Sequence, residues 1–166
     1  VKRAIFPASF DPITNGHLDI ATRASMLCDE LVLAVYRSPE KRVLFPWEER
    51  IAMARESTAH LSNCRVEGFS GLMVEYAQRI GAEVVVRGLR AGSDFEGEFQ
   101  MALTNKMLAP AIETICLIGS QHLMFISSSR IKEIALLGGN VVDLVPPPVA
   151  ERLARQARTD TMEADR

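Results

Sequence analysis

The sequence predicts an α/β protein, one domain built on a five-stranded parallel sheet with helices on both faces. Three observations lead there. Short apolar, β-rich runs recur five times along the 166 residues, helical periodicity fills the intervals, and 48% of the residues are hydrophobic, as two covered sheet faces require. The length suits a single domain, since domains commonly span ~100–200 residues.

The first strand is read at AIF, residues 4–6. A helix over 17–28 follows, with Leu18, Ala21 and Ser25 on one face and Ile20, Ala24 and Leu27 on the next, a broad apolar stripe. LVLAVY (31–36) is the second strand, and PWEERIAMARESTAHL then sets Pro46 and two glutamates at a helix start, with Ile51, Ala54, Thr58 and Leu61 at helical spacing. RVEGF (65–69) precedes a helix over 72–80 that Gly81 stops.

EVVVR (83–87) leads to a fourth helix, capped by Ser93 or Asp94, carrying Phe95, Phe99, Ala102, Leu103 and Met107, and closed by Pro110. TICLIG (114–119) is the last strand, and a fifth helix runs from the serines near 127 to about Leu137. VPPPVAERLARQAR adds a surface helix after a proline turn. The domain is therefore placed at 1–158, with a flexible polar tail at 159–166. Strand and helix alternating in this way describe a Rossmann-like sheet.

Nineteen basic and twenty-one acidic residues give a net charge of −2, so no global field favours nucleic acid and any anion site must be local. Cys28, Cys64 and Cys116 are widely spaced without a CxxC pair, which argues against a disulfide framework and a zinc site. The opening VKRAIFPASFDP has no leader-like apolar run, and no segment approaches ~20 consecutive apolar residues. A soluble, cytoplasmic protein without a nucleic-acid or membrane partner is the expectation.

Four polar clusters fall where strands hand over to helices: SFDPITNGH, RSPEKR, RGLRAGSD and ISSSRIK. All four open on one sheet edge, where parallel sheets bind their ligands. A helix start offers unpaired N–H groups and partial positive charge to a phosphate, and Gly16 lets a ligand come close. His17, Lys41, Arg87 and Arg90 would complete a polyphosphate cradle.

Singly, each element has a plainer reading. A Gly-His pair is a turn with a capping histidine, Lys41 and Arg42 are a solvated loop pair, and Ser127, Ser128 and Ser129 are a helix cap. Their coincidence on one edge carries the weight, together with arginines that end a VVV strand. His60 and His122 lack partners at metal-ligand spacing, so no protein-built metal site is assigned. No GxxxxGK[ST], GxGxxG or GxSxG pattern occurs.

TNGH, residues 14–17, matches the (T/H)xGH signature of the nucleotidylyltransferase superfamily, and ISSSRIK (126–132) resembles its ISSTxxR. With FDPITNGH, the SPEK loop, RGLRAGSDFE and FISSSRIKE, about residues 3–155 resemble the bacterial phosphopantetheine adenylyltransferases. The resemblance implies reversible transfer of an adenylyl group from ATP to 4'-phosphopantetheine with magnesium, giving dephospho-coenzyme A and pyrophosphate. This is the penultimate step of coenzyme A synthesis. It also implies a homohexamer and feedback inhibition by coenzyme A.

Carried over by position, Ser9 meets both substrates, Phe10 lies against ATP and His17 stabilises the transition state. Lys41, Met73 and Arg87 fall at acceptor-binding positions, with Lys41 also near the reacting phosphates. Gly88, Leu89, Arg90 and Glu98 fall at ATP-binding positions, with Arg90 counted among the catalytic cations. Leu123, Met124, Phe125, Ile126, Ser127, Ser128 and Ser129 match the segment that encloses the nucleotide. Ala8 replaces a usual glycine, Ser9 a common threonine, Lys132 the superfamily's arginine and Gly97 a larger residue. Serine keeps the hydroxyl, and lysine keeps the charge without the bidentate fork.

The implied chemistry is direct in-line attack by an ionised acceptor phosphate, which needs no general base and no covalent intermediate. Magnesium would be held mainly by ATP oxygens and water, with Asp11 an outer candidate. Three rivals stand beside this reading. They are a related enzyme using nicotinamide mononucleotide or glycerol phosphate, a noncatalytic ATP-sensing domain, and a fragment of an aminoacyl-tRNA synthetase, for which the chain is short and lacks a KMSKS-like loop.

Overall fold

A computed structural model describes residues 1–37, 43–90 and 92–164. In chain order its elements are β1 (Arg3–Ala8), α1 (Asn15–Ser25), β2 (Glu30–Tyr36), α2 (Trp47–Thr58), β3 (Cys64–Phe69) and α3 (Met73–Arg79). After these come β4 (Val84–Leu89), α4 (Gly92–Leu108), β5 (Glu113–Ile118), a 3-10 turn at Gln121–Leu123, α5 (Ser128–Leu136) and α6 (Pro147–Ala164). All five expected strands are present and parallel, in the order β3-β2-β1-β4-β5. Helix α6 continues through residues 159–164, so position 158 marks no break in it.

The central strands β1 and β2 and the start of β4 read as near-continuous apolar runs because both their faces are buried, whereas the edge strands β3 and β5 are only partly covered. Alternate residues divide cleanly between the two faces. Ala4, Phe6, Leu31, Leu33, Val35, Val84 and Val86 pack with Ala21 and Ala24 of α1, Met53 and Ala54 of α2, Ile131 of α5 and Leu153 of α6. Ile5, Val32 and Val85 point the other way, onto Val74 and Ala77 of α3 and Ala109 and Ile112 beyond α4. Leu27 departs from the expected stripe: α1 ends at Ser25, and Leu27 is exposed.

Two features open the sheet at its centre. β1 pairs with β2 along its whole length, from Arg3↔Glu30 to Ala8↔Val35, but with β4 only at Ala4 and Ile5. Pro7 has no N–H to give a ladder, and its carbonyl accepts from Arg87 Nη1 at 2.6 Å instead. A crevice therefore opens between the C-terminal ends of β1 and β4, where the chain direction across the sheet switches.

Helix α4 borders the crevice with polar side chains and Met101. Asp94, Glu98 and Asn105 line the crevice, whereas Phe95, Phe99, Leu103 and Met107 stand exposed. Phe95 and Phe99 stack on each other with ring centroids 5.8 Å apart. Of the apolar positions named on this helix, all but Ala102 are exposed.

Candidate active site

The crevice holds a cavity of about 900 Å³. Of the residues singled out from sequence, Ser9, Phe10, His17, Met73, Arg87, Gly88 and Arg90 line it. Glu98, Ile126, Ser127, Ser128 and Ser129 close it from α4 and the start of α5. Leu89, Leu123, Met124 and Phe125 are not among its lining; Leu89 ends β4 with its carbonyl taken by the Gly119 N–H at 2.8 Å. Lys41 lies outside the described residues.

His17 is the third residue of α1, and the helix cap fixes its ring. The Thr14 hydroxyl accepts from the His17 backbone N–H at 3.3 Å, and the Thr14 N–H donates to His17 Nδ1 at 3.1 Å. This is a capping box with histidine in the place usually taken by Glu or Gln. A backbone amide can only donate, so Nδ1 carries the lone pair and the ring proton sits on Nε2. The imidazole also meets the Phe10 ring edge-on at 5.1 Å. Burial, and then the positive charges of Arg90 and Arg87, push its pKa from 6.5 down to about 4. At neutral pH, His17 is therefore an uncharged N–H donor.

The two arginines are oriented by their own partners. Arg87, at the fourth position of β4, forms a bidentate pair with Glu98, with Nε and Nη2 each 2.6 Å from a carboxylate oxygen. Arg90 donates through Nε to Asp94 at 3.1 Å and through Nη1 to the Ile126 carbonyl at 2.9 Å. Planar forks held in this way keep their positive charge at the mouth of α1. Ser127 caps α5, accepting from the Arg130 N–H, while the Ser128 hydroxyl donates to the Pro12 carbonyl at 2.8 Å.

Four positions have structural explanations that refine the sequence reading. Ala8 ends β1 in register with Val35, and the positive φ of this loop, 47°, falls at Phe10, so alanine meets no backbone penalty. Phe10 is 1% exposed and its ring packs edge-on against Phe6, so the residue borders the cavity from within the core. Glycine at 88 reflects packing, since a Cβ there would stand 3.0 Å from Ile20 Cγ1. At Gly16 a Cβ would come no closer than 3.5 Å to any atom, so the protein's own packing does not demand glycine there.

Sequence reasoning missed Thr14 as the partner of His17, although the T-x-x-H spacing is that of a capping box. It also missed Asp94 as the partner of Arg90. Lys132 donates to Asp11 at 2.6 Å, and Asp11 further accepts from the Leu44 and Phe45 N–H groups. That carboxylate is committed within the protein, and among the described residues no cluster of His, Cys, Asp and Glu gathers to hold a metal. No described helix is long and apolar enough to cross a membrane.

Residues 5–134 match the pattern of the cytidylyltransferase-like family. Over 156 residues, 94% of each chain, the sequence is 58% identical to a phosphopantetheine adenylyltransferase of Herpetosiphon aurantiacus. It is 54% identical over 150 residues to the enzyme of the same name from a Synechococcus species, covering 90% of this chain and 94% of that one. The solved structure of a Vibrio parahaemolyticus protein described as a nicotinate-nucleotide adenylyltransferase superposes with a TM-score of 0.72 over 95% of this chain and 94% of its own. At 18% identity, that likeness speaks for the fold alone. The chain is thus a nucleotidyltransferase of the cytidylyltransferase-like family, and within it belongs to the phosphopantetheine adenylyltransferases.

Proposed function

We propose that this chain transfers the adenylyl group of ATP to 4'-phosphopantetheine, reversibly, giving dephospho-coenzyme A and pyrophosphate. The observation that carries this reading is a neutral His17 with Nδ1 turned back to Thr14, lining one cavity with two anchored arginines whose charge it feels. Such a group stabilises charge on a phosphoryl oxygen without taking a proton from the nucleophile. The acceptor phosphate is ionised near pH 7, so it attacks the α-phosphorus directly, in line with departing pyrophosphate. No covalent intermediate is needed.

Ser9 would contact both substrates, and Arg87, Met73 and Lys41 would hold the acceptor. Arg90, Glu98, the backbone of 88–89 and the 123–129 segment would hold ATP. Holding two mutually repelling anions in register is the main task of these groups. Magnesium, bound through ATP oxygens and water, would neutralise phosphate charge. The protein's contribution there is cationic and hydrogen-bonding rather than ligating.

The cavity extends along Tyr36, Phe69, Leu72 and Met73, an apolar arm that suits a long pantetheine chain better than nicotinamide mononucleotide or glycerol phosphate. Coenzyme A, sharing that arm, fits as a feedback ligand. The exposed Phe95, Phe99, Leu103 and Met107 support self-association, with a homohexamer as the proposed form. A cytoplasmic site of action follows from the reaction. Pyrophosphate release measured with ATP and a panel of acceptors tests the reading; release with nicotinamide mononucleotide or glycerol phosphate, and none with phosphopantetheine, would reject it.

A further inference from the structure

The buried charge with no part in the chemistry so far is Arg50 of α2, which is 2% exposed. Among the described residues no carboxylate forms an ion pair with it. Its donors go to three main-chain carbonyls: Nη1 to Ser9 at 2.5 Å and to Tyr36 at 3.0 Å, and Nε to Phe45 at 3.2 Å. Burial lowers its pKa, against the pull of Asp11. Among the described residues its hydrogen bonds go only to carbonyls, an expensive way to stabilise a core where an apolar side chain would serve as well.

One of the three carbonyls, that of Ser9, belongs to the turn at Phe10, and Phe45 is tied to the same turn through its N–H to Asp11. Phe10 holds φ at 47°, a conformation that is costly for a non-glycine residue and persists only where the surroundings over-determine it. Arg50 grips the carbonyl on one side of Phe10. Asp11 on the other side is fixed by the N–H groups of Leu44 and Phe45 and by Lys132. The Phe10 ring then abuts the His17 imidazole at 5.1 Å. Ser9 and His17 both line the cavity, so the site's geometry hangs on this turn.

We propose that Arg50 is a positioning residue for adenylyl transfer: its guanidinium holds the Ser9–Phe10 turn and so sets where the Ser9 hydroxyl and the His17 ring stand. The inference rests on the function proposed above. Lysine at 50 keeps the charge but cannot span three carbonyls from one planar fork.

The test measures kcat, both KM values, ATP affinity by calorimetry and Tm for the wild type, R50K, S9A and R50K/S9A. R50K is expected to lower kcat by about 10- to 100-fold, the scale of a small misplacement of reacting groups, with ATP affinity held within a few-fold. Its effect and that of S9A combine less than multiplicatively, because both act at one turn. In R50A, millimolar guanidinium restores part of the lost rate; should R50A not fold, R50K carries the test. Wild-type kcat in R50K, or a loss that multiplies with S9A and follows Tm alone, would overturn the inference while leaving the function intact. A wild type that makes no dephospho-coenzyme A defeats the functional reading, and the inference with it.

Discussion

Thr14 and His17 cap one helix and orient one another: the Thr14 N–H reaches Nδ1 at 3.1 Å while the His17 N–H reaches the Thr14 hydroxyl at 3.3 Å. The Thr14 N–H bond that helps to begin α1 also chooses the histidine tautomer, and the Thr14 hydroxyl lies 3.0 Å from the same Nδ1. Thr14→Val removes the hydroxyl and retains the shape. It should cost about 1 kcal/mol of stability, the usual worth of a helix cap, and lower kcat without weakening ATP binding. Thr14→Ser should restore both, as read by thermal melts and steady-state kinetics.

The imidazole's environment makes a pH prediction. In the folded protein His17 titrates at about 4, whereas an unfolded chain holds it near 6.5. The unfolded state therefore takes up the proton first as pH falls, and the stability contributed by neutral His17 is complete above 6.5 and lost between there and about 4. NMR titration of the ring should give a midpoint near 4. Arg90→Met should raise that midpoint, because the Arg90 charge depresses it. An unchanged midpoint would contradict the assigned cause.

Gly16 separates stability from binding. An alanine methyl there meets only ordinary contacts within the protein, and replacing a helical glycine gains up to about 1 kcal/mol. Gly16→Ala should melt at or above the wild-type temperature and yet bind ATP more weakly in calorimetry, since the methyl occupies the cavity side of the helix mouth.

Arg87 and Glu98 join positions that the resemblance assigns to different substrates. With both carboxylate oxygens 2.6 Å from the guanidinium, Glu98 would compete for the same fork with an acceptor phosphate held as proposed. Glu98→Gln should therefore tighten phosphopantetheine binding to the free protein, by about tenfold if one charge-assisted bond of ~1.4 kcal/mol is at stake. Titration calorimetry without ATP reads this directly; weaker binding would show that Glu98 assists Arg87 rather than occupying it.

Much of this was legible in the sequence, for identifiable reasons. β-branched runs such as LVLAVY and EVVVR mark buried parallel strands, and the four polar clusters follow from where those strands end. Other features were not legible because they depend on long-range placement. Arg50 sits in EERIAMAR, where it reads as one more solvated helix charge, and only the tertiary fold buries it against Ser9, Tyr36 and Phe45. The apolar positions of α4 have a core helix's spacing, yet the polar residues between them face the cavity. The contacts of the Phe10 ring with Phe6 and His17 likewise depend on tertiary placement.

The most direct test of the whole account is His17→Gln. Dephospho-coenzyme A formation from ATP and phosphopantetheine should fall by ~10²–10³, the scale for loss of one transition-state donor, while the ATP dissociation constant from calorimetry stays near the wild-type value. Turnover at the wild-type rate in this variant would contradict the role assigned to His17.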